Sequence, residues 1–212
     1  MELATETPCP LCGRPLYAWV ALPENVQGAS VGVPAAAERV IGRCESCGVA
    51  LEPGPEIDLA AEWRAVAPGD DGRISVPNRV SLQAAIGVEG WAGFDRSPGS
   101  LMLTSRSLEL LAEHNGHRLE SVRTSVTRRA QGWMWQTLVN GLTFHSNFAR
   151  DLRAGRIRPQ TSRGPVLFAI DCVVTVLAAP LVALVSVPLE LAAVALRRGG
   201  ELTAVARTGA SP

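Results

Sequence analysis

Short alternating runs open the chain. Leu16-Tyr17-Ala18-Trp19-Val20 and Arg39-Val40-Ile41-Gly42-Arg43 have the period of strands, and Pro23 to Ala37, rich in Gly, Ala and Pro, reads as a loop between them. Ile57 to Ala67, with Leu59 and Trp63 four apart, predicts a short amphipathic helix that Pro68-Gly69 ends. Arg73 to Val76 reads as a strand stopped by Pro77-Asn78, and Val80 to Val88 as a helix. Gly87, Gly90 and Gly93 then surround Trp91 in a loop running to Gly99. From Thr104 to Gly116 the signals agree: a Thr104 or Ser105 cap, an apolar face of Leu108, Leu111 and Ala112, and an Asn115-Gly116 stop. Leu119 to Val126 alternates as a strand, and helix, stop and strand together form an α/β unit. Gln131 to Asp151 carries a helical stripe of Trp133, Met134, Leu138, Leu142 and Phe148. Arg150 to Arg163, basic and broken by Gly155 and Pro159, reads as a loop.

Pro165 to Leu196 departs from this amphipathic pattern. Its charges are Asp171 and Glu190, and the 18 residues from Cys172 to Leu189 carry none. As a helix these rise ~27 Å, close to the thickness of a bilayer core. Pro180 and Pro188 count against a straight transmembrane helix, although such helices tolerate Pro. The other readings are two helices, broken near one of them, lying in a membrane interface or packed on a hydrophobic partner, and a buried core helix. After Gly199-Gly200, Glu201 to Ala206 alternates like a closing edge strand, which returns the chain to the sheet's side.

Composition adds an asymmetry. The 212 residues carry zero formal net charge and 47% hydrophobic residues, which excludes global disorder and argues against a dedicated nucleic-acid binder. Residues 1–117 hold 8 Arg against 15 acids, residues 118–163 hold 9 Arg against Glu120 and Asp151, and residues 164–212 hold 3 of each. A basic block therefore precedes an apolar one, an order relevant to membranes. All 20 basic residues are Arg, which reads as coding bias. Met1 to Thr7 has no apolar core, so no signal peptide is expected and the chain is placed in the cytoplasm, in association with a membrane.

The chemistry concentrates in cysteines. Cys9-Pro-Leu-Cys12-Gly13 and Cys44-Glu-Ser-Cys47-Gly48 are two C-x2-C turns, each followed by Gly, with 31 residues between the pairs. Such turns aim two sulfurs at one centre, and Gly accepts the positive φ beneath it. Cys9, Cys12, Cys44 and Cys47 thus predict a structural Zn2+ site whose four thiolates leave no place for water. Two disulfides would need an oxidising compartment. Cys172 reads as a plain buried thiol, and His114, His117 and His145 as solvated surface residues. No Ser/His/Asp arrangement or paired carboxylate stands out, so no catalytic residue is assigned. Arg128-Arg129 beside Trp133 and Trp135 reads as the solvated side of an amphipathic helix, and no specific nucleic acid is expected.

These residues resemble class I S-adenosylmethionine-dependent methyltransferases that carry an N-terminal zinc ribbon. The ribbon resemblance lies in Cys9 to Gly13 and in Arg43 to Val49, ending at Pro53. Gly72 to Asn78, Gly90 to Asp95, Leu103 to Leu111 with Gly116, the apolar block and Gly199-Gly200-Glu201-Leu202 resemble the family's late sheet region and C-terminal end. The family binds its cofactor through a glycine-rich turn and an acidic residue that would fall between residues 55 and 72, a stretch too short to hold them. Gly87-x2-Gly90-x2-Gly93 follows a predicted helix and is not that turn. Where relatives have Pro-Arg-His, this chain has Ser97-Pro98-Gly99. The resemblance implies a member without its cofactor-binding core, so S-adenosylmethionine is not expected.

The expected fold is α+β: a zinc ribbon at 1–55, a partial methyltransferase-like α/β region at 56–164, and apolar helices with a closing strand at 165–212. The expected function is non-catalytic, with residues 165–196 meeting membrane lipid or a hydrophobic protein and the Arg-rich 150–163 near anionic headgroups. The other readings are a divergent methyltransferase and an interaction module of an intact one.

Overall fold

The computed structural model describes residues 4–22, 39–52, 57–66, 73–94, 100–159 and 164–208. The expected Pro23–Ala37 loop, the Ser97-Pro98-Gly99 departure and Arg163 lie outside them. Four strands, β1 (Ala4–Pro8), β2 (Pro15–Leu22), β3 (Arg39–Cys44) and β4 (Ala50–Leu51), form an antiparallel sheet in chain order. The two alternating runs of the sequence fall in β2 and β3. Each cysteine turn is closed by its glycine: Gly13 donates to the Cys9 carbonyl at 2.8 Å, and Gly48 to that of Cys44 at 2.9 Å. Both glycines have positive φ, +69° and +76°, where a side chain would be strained.

The second sheet holds β5 (Arg73–Pro77), β6 (His117–Thr124) and β7 (Glu201–Thr208) in the order β5-β7-β6. Both pairings are antiparallel, so β5 and β6 run parallel to each other. The last strand is therefore central, not the edge strand its sequence suggested. Alternation marks a strand with one buried face but carries no information about its neighbours. Helix α1 (Leu59–Val66) and helix α3 (Ser105–His114) pack on the apolar face of this sheet. Thr104 caps α3, with Ser107 completing a capping box, and Gly116 at φ +74° follows its end.

One core serves both sheets. Cys9, Leu11, Leu16, Cys44, Cys47, Val49 and Leu51 from the ribbon cluster with Trp63, Ile74, Leu103, Leu108, Leu111 and Leu202. Ala50 and Met102 exchange two backbone hydrogen bonds across this junction, at 2.8 and 3.0 Å.

The helical remainder differs from expectation in three places. Gln131 to Asp151 is two helices, α4 (Arg128–Asn140) and α5 (Phe148–Arg153), with α4 capped by Thr127. Between them, Phe144 and His145 donate their backbone N–H groups to the buried Asp171 carboxylate, and Asn147 takes a left-handed φ of +62°. That loop bonds sideways instead of continuing the helix. The apolar block is one helix, α6 (Pro165–Ala195), not two. Its two prolines are exposed and lie on the outward face, so the missing N–H bonds fall where the helix makes no contacts. Cys172 is half-exposed instead of buried.

Buried polar groups join α6 to the sheets. Helix α2 (Leu82–Gly87) presents Gln83, which donates to the Ala130 carbonyl at 2.8 Å and to Glu190 Oε2 at 2.7 Å. Glu190 Oε1 accepts from the Gly200 N–H at 2.8 Å. A Cβ at Gly200 would lie 1.8 Å from Gln83 Nε2, inside this network. Gly200→Ala is expected to lower stability by about 1–3 kcal/mol, the usual cost of overpacking, measured as a shift in the chemical denaturation midpoint. An unchanged midpoint would mean that the Gln83–Glu190 pair relaxes freely.

Candidate metal centre

The two turns bring all four sequence-predicted cysteines together. Their sulfurs lie within 4.8 Å of one another, Cys9 to Cys47 at 3.6 Å and Cys12 to Cys44 at 3.4 Å. None is in a disulfide. A tetrahedral Zn2+ with Zn–S bonds of about 2.3 Å requires sulfurs about 3.8 Å apart, so the donor set fits a structural zinc site. Cys9, Cys44 and Cys47 are buried and Cys12 is half-exposed. The thiols are already polarised among themselves. Cys47 hydrogen-bonds to Cys9 and holds that thiol down to about 5, against the opposing effect of burial. The same bond, then burial, pushes Cys47 up, and burial raises Cys12. A bound cation would replace this shared proton and favour all four thiolates.

The second turn is also held from outside the ribbon. Thr104 Oγ1 donates to the Cys47 carbonyl at 2.8 Å. Arg79, in the turn after β5, donates from Nη1 to the Gly48 carbonyl at 3.1 Å and stacks 4.4 Å over the Trp19 ring. Burial first, then neighbouring Arg43, pull Arg79 down to about 10, and Cys47 opposes them. Nothing local in the sequence marks Arg79, because its partner is a backbone carbonyl 31 positions away.

A second candidate surface lies on α6. Asp171, Val182, Ser186, Glu190 and Ala193 are its buried residues. At 100° per residue they occupy about 100° of arc. The opposite face is aliphatic and exposed, including Val166, Val173, Val176, Leu177, Leu181 and Leu184. The helix is 31 residues with a mean hydropathy of 2.4 in its most apolar window, long and apolar enough to cross a membrane, and that window is 11% buried. A membrane-associated protein and a soluble one are both compatible with it. Asp171 and Glu190, seen in the sequence only as charges in an apolar run, are both fully buried.

Two of the three histidines depart from expectation. His145 is largely buried and bonds to Asp171 through Nδ1. His117 is half-buried and stacks 4.8 Å from the Trp63 ring. His114 is exposed and meets the Leu11 carbonyl at 3.2 Å. Arg129 stacks on Trp133 at 4.8 Å, while Glu201 accepts from Ser75 and Thr127 beneath it. Ser75, Arg129 and Trp133 border a cleft of about 790 Å³ with Glu62, Asn147 and Asp151.

No family model matches the chain, no curated protein matches it, and no solved structure matches it.

The purified chain is expected to carry one zinc per molecule by elemental analysis. Cys47→Ala is expected to lose it and to lower the melting temperature, whereas Cys172→Ala keeps both. Equal zinc content in the two variants would refute the assignment of the ligands.

Proposed function

We propose that this chain is a non-catalytic zinc-ribbon protein whose exposed α6 face lies on a membrane. The observation that carries this reading is the fastening of α6 at both ends. Asp171 is bonded to the loop at Phe144 and His145, and Glu190 to Gln83 and Gly200. The two acids are about 28 Å apart along the helix. Withdrawing α6 to span a bilayer would strip both carboxylates of their partners and drag the central strand β7 with it, which favours a helix lying in the interface over one crossing it. Its outward aliphatic face offers side chains that gain about 1.5–3 kcal/mol each when fully buried. Arg153, Arg156 and Arg158 precede the helix and Arg197 and Arg198 follow it, all exposed, a charge pattern suited to anionic headgroups.

Zinc in this reading is structural and supplies no chemistry. The body resembles the late part of a class I methyltransferase. The support is that residues 73–77, 105–114 and 201–202, within the stretches that carry the resemblance, form β5, α3 and the start of β7, elements packed in one unit. Cofactor-binding residues are not assigned.

Flotation of the zinc-loaded chain with vesicles tests the membrane claim. Co-flotation is expected with equimolar phosphatidylglycerol and phosphatidylcholine, weaker flotation with phosphatidylcholine alone, and loss in Leu177→Glu/Leu184→Glu. A folded chain that stays at the bottom of every gradient overturns it and assigns the face to a protein partner. Calorimetric titration with S-adenosylmethionine is expected to give no heat. Micromolar binding would make the chain a divergent methyltransferase.

A further inference from the structure

We propose that Arg79 is the counter-charge of the filled metal centre and ties the ribbon's metal to the body of the protein. This rests on reading the four cysteines as a zinc site. Four thiolates around Zn2+ carry a net charge of −2. Burying that charge without a compensating cation is costly. Cys12 and the exposed Arg14 lie on the open side of the site, whereas Cys47 faces the body, where its main chain is held by Thr104 and Arg79.

Apart from its stacking on Trp19, the charge of Arg79 has no acidic partner. It projects from the body onto the turn that follows Cys47 and uses one N–H on the Gly48 carbonyl. Its Nε is buried and has no hydrogen-bond partner. No carboxylate lies within ion-pair distance of it among the described residues, and Arg43, which bears on it electrostatically, is another cation. Arg43 has Glu45 at 3.7 Å, whereas Arg79 is left with a half-buried charge and no acid. A guanidinium in that position is unfavourable beside four neutral thiols and favourable beside a tetrathiolate dianion.

The turn that carries Arg79 also holds the far end of α6. Asn78 donates from Nδ2 to the Gly199 carbonyl at 2.9 Å and from its backbone to that of Gly200 at 2.9 Å. Arg79 donates its own backbone N–H to the Leu103 carbonyl at 2.9 Å, next to Thr104. Charge on the metal centre therefore bears on a turn already committed to α3 and to the start of β7.

The test follows zinc transfer from the loaded chain to excess chelating dye, in the wild type, Arg79→Met, Arg79→Lys and Arg43→Met. Arg79→Met is expected to release zinc about tenfold faster, the size of one charge-assisted hydrogen bond. Arg79→Lys is expected to restore most of the difference, and Arg43→Met to change little. The melting temperature adds a readout that a simple clamp on Gly48 would not move: Arg79→Met is expected to lower it in the zinc-loaded chain and not in the chelated one. Equal release rates in Arg79→Met and wild type overturn the proposal. So does an Arg79→Lys variant as fast as Arg79→Met with both forms equally destabilised, which assigns Arg79 to holding the turn alone. A wild-type chain that takes up no zinc removes the metal reading, and the role of Arg79 with it.

Discussion

The turn Cys44 to Gly48 is the constraint on which the rest of the structure depends. It supplies two of four sulfurs, ends β3, and is held from the body by Thr104 and Arg79. Gly48 could not be replaced without disturbance, since a Cβ there would lie 2.8 Å from Thr104 Cγ2 at a φ of +76°. The same Thr104 caps α3. One small turn thus couples the four-cysteine cluster, the third strand of the first sheet and the start of the helix that covers the second sheet. A three-stranded sheet and a ribbon of this size have little core apart, and the shared cluster from Cys9 to Leu202 gives them one together.

Helix α6 inverts the usual arrangement of a surface helix. Its buried stripe includes two carboxylates and a serine, and its exposed face is aliphatic. Each buried acid is satisfied by hydrogen bonds, which is the condition for keeping it there. The polar stripe fixes the position of the helix on the body, and the apolar face is exposed among the described residues. Such a surface is compatible with membrane association and with a soluble protein.

Much of this was legible in the sequence where a signal is local. The C-x2-C-Gly turns specify their sulfurs by spacing alone, Thr104 and Asn115-Gly116 bound their helix, and the apolar run specifies helix without settling whether it is broken. What was not legible depends on partners far along the chain. β4 has two residues and exists because Gly42 and Arg43 pair with it. The break after Asn140 follows from Asp171, more than 20 positions later, drawing the loop at 144–145 to itself. The central place of β7 follows from β5 and β6 both pairing with it. The prolines of α6 misled because their effect depends on which face they occupy.

The central claim is that metal and body share one cooperative core. Hydrogen exchange of the zinc-loaded and chelated chain, read peptide by peptide, tests it most directly. The account predicts that chelation removes protection from β5, α3 and β7 together with the ribbon strands. Loss confined to residues 4–51, with β5, α3 and β7 still protected, would contradict it.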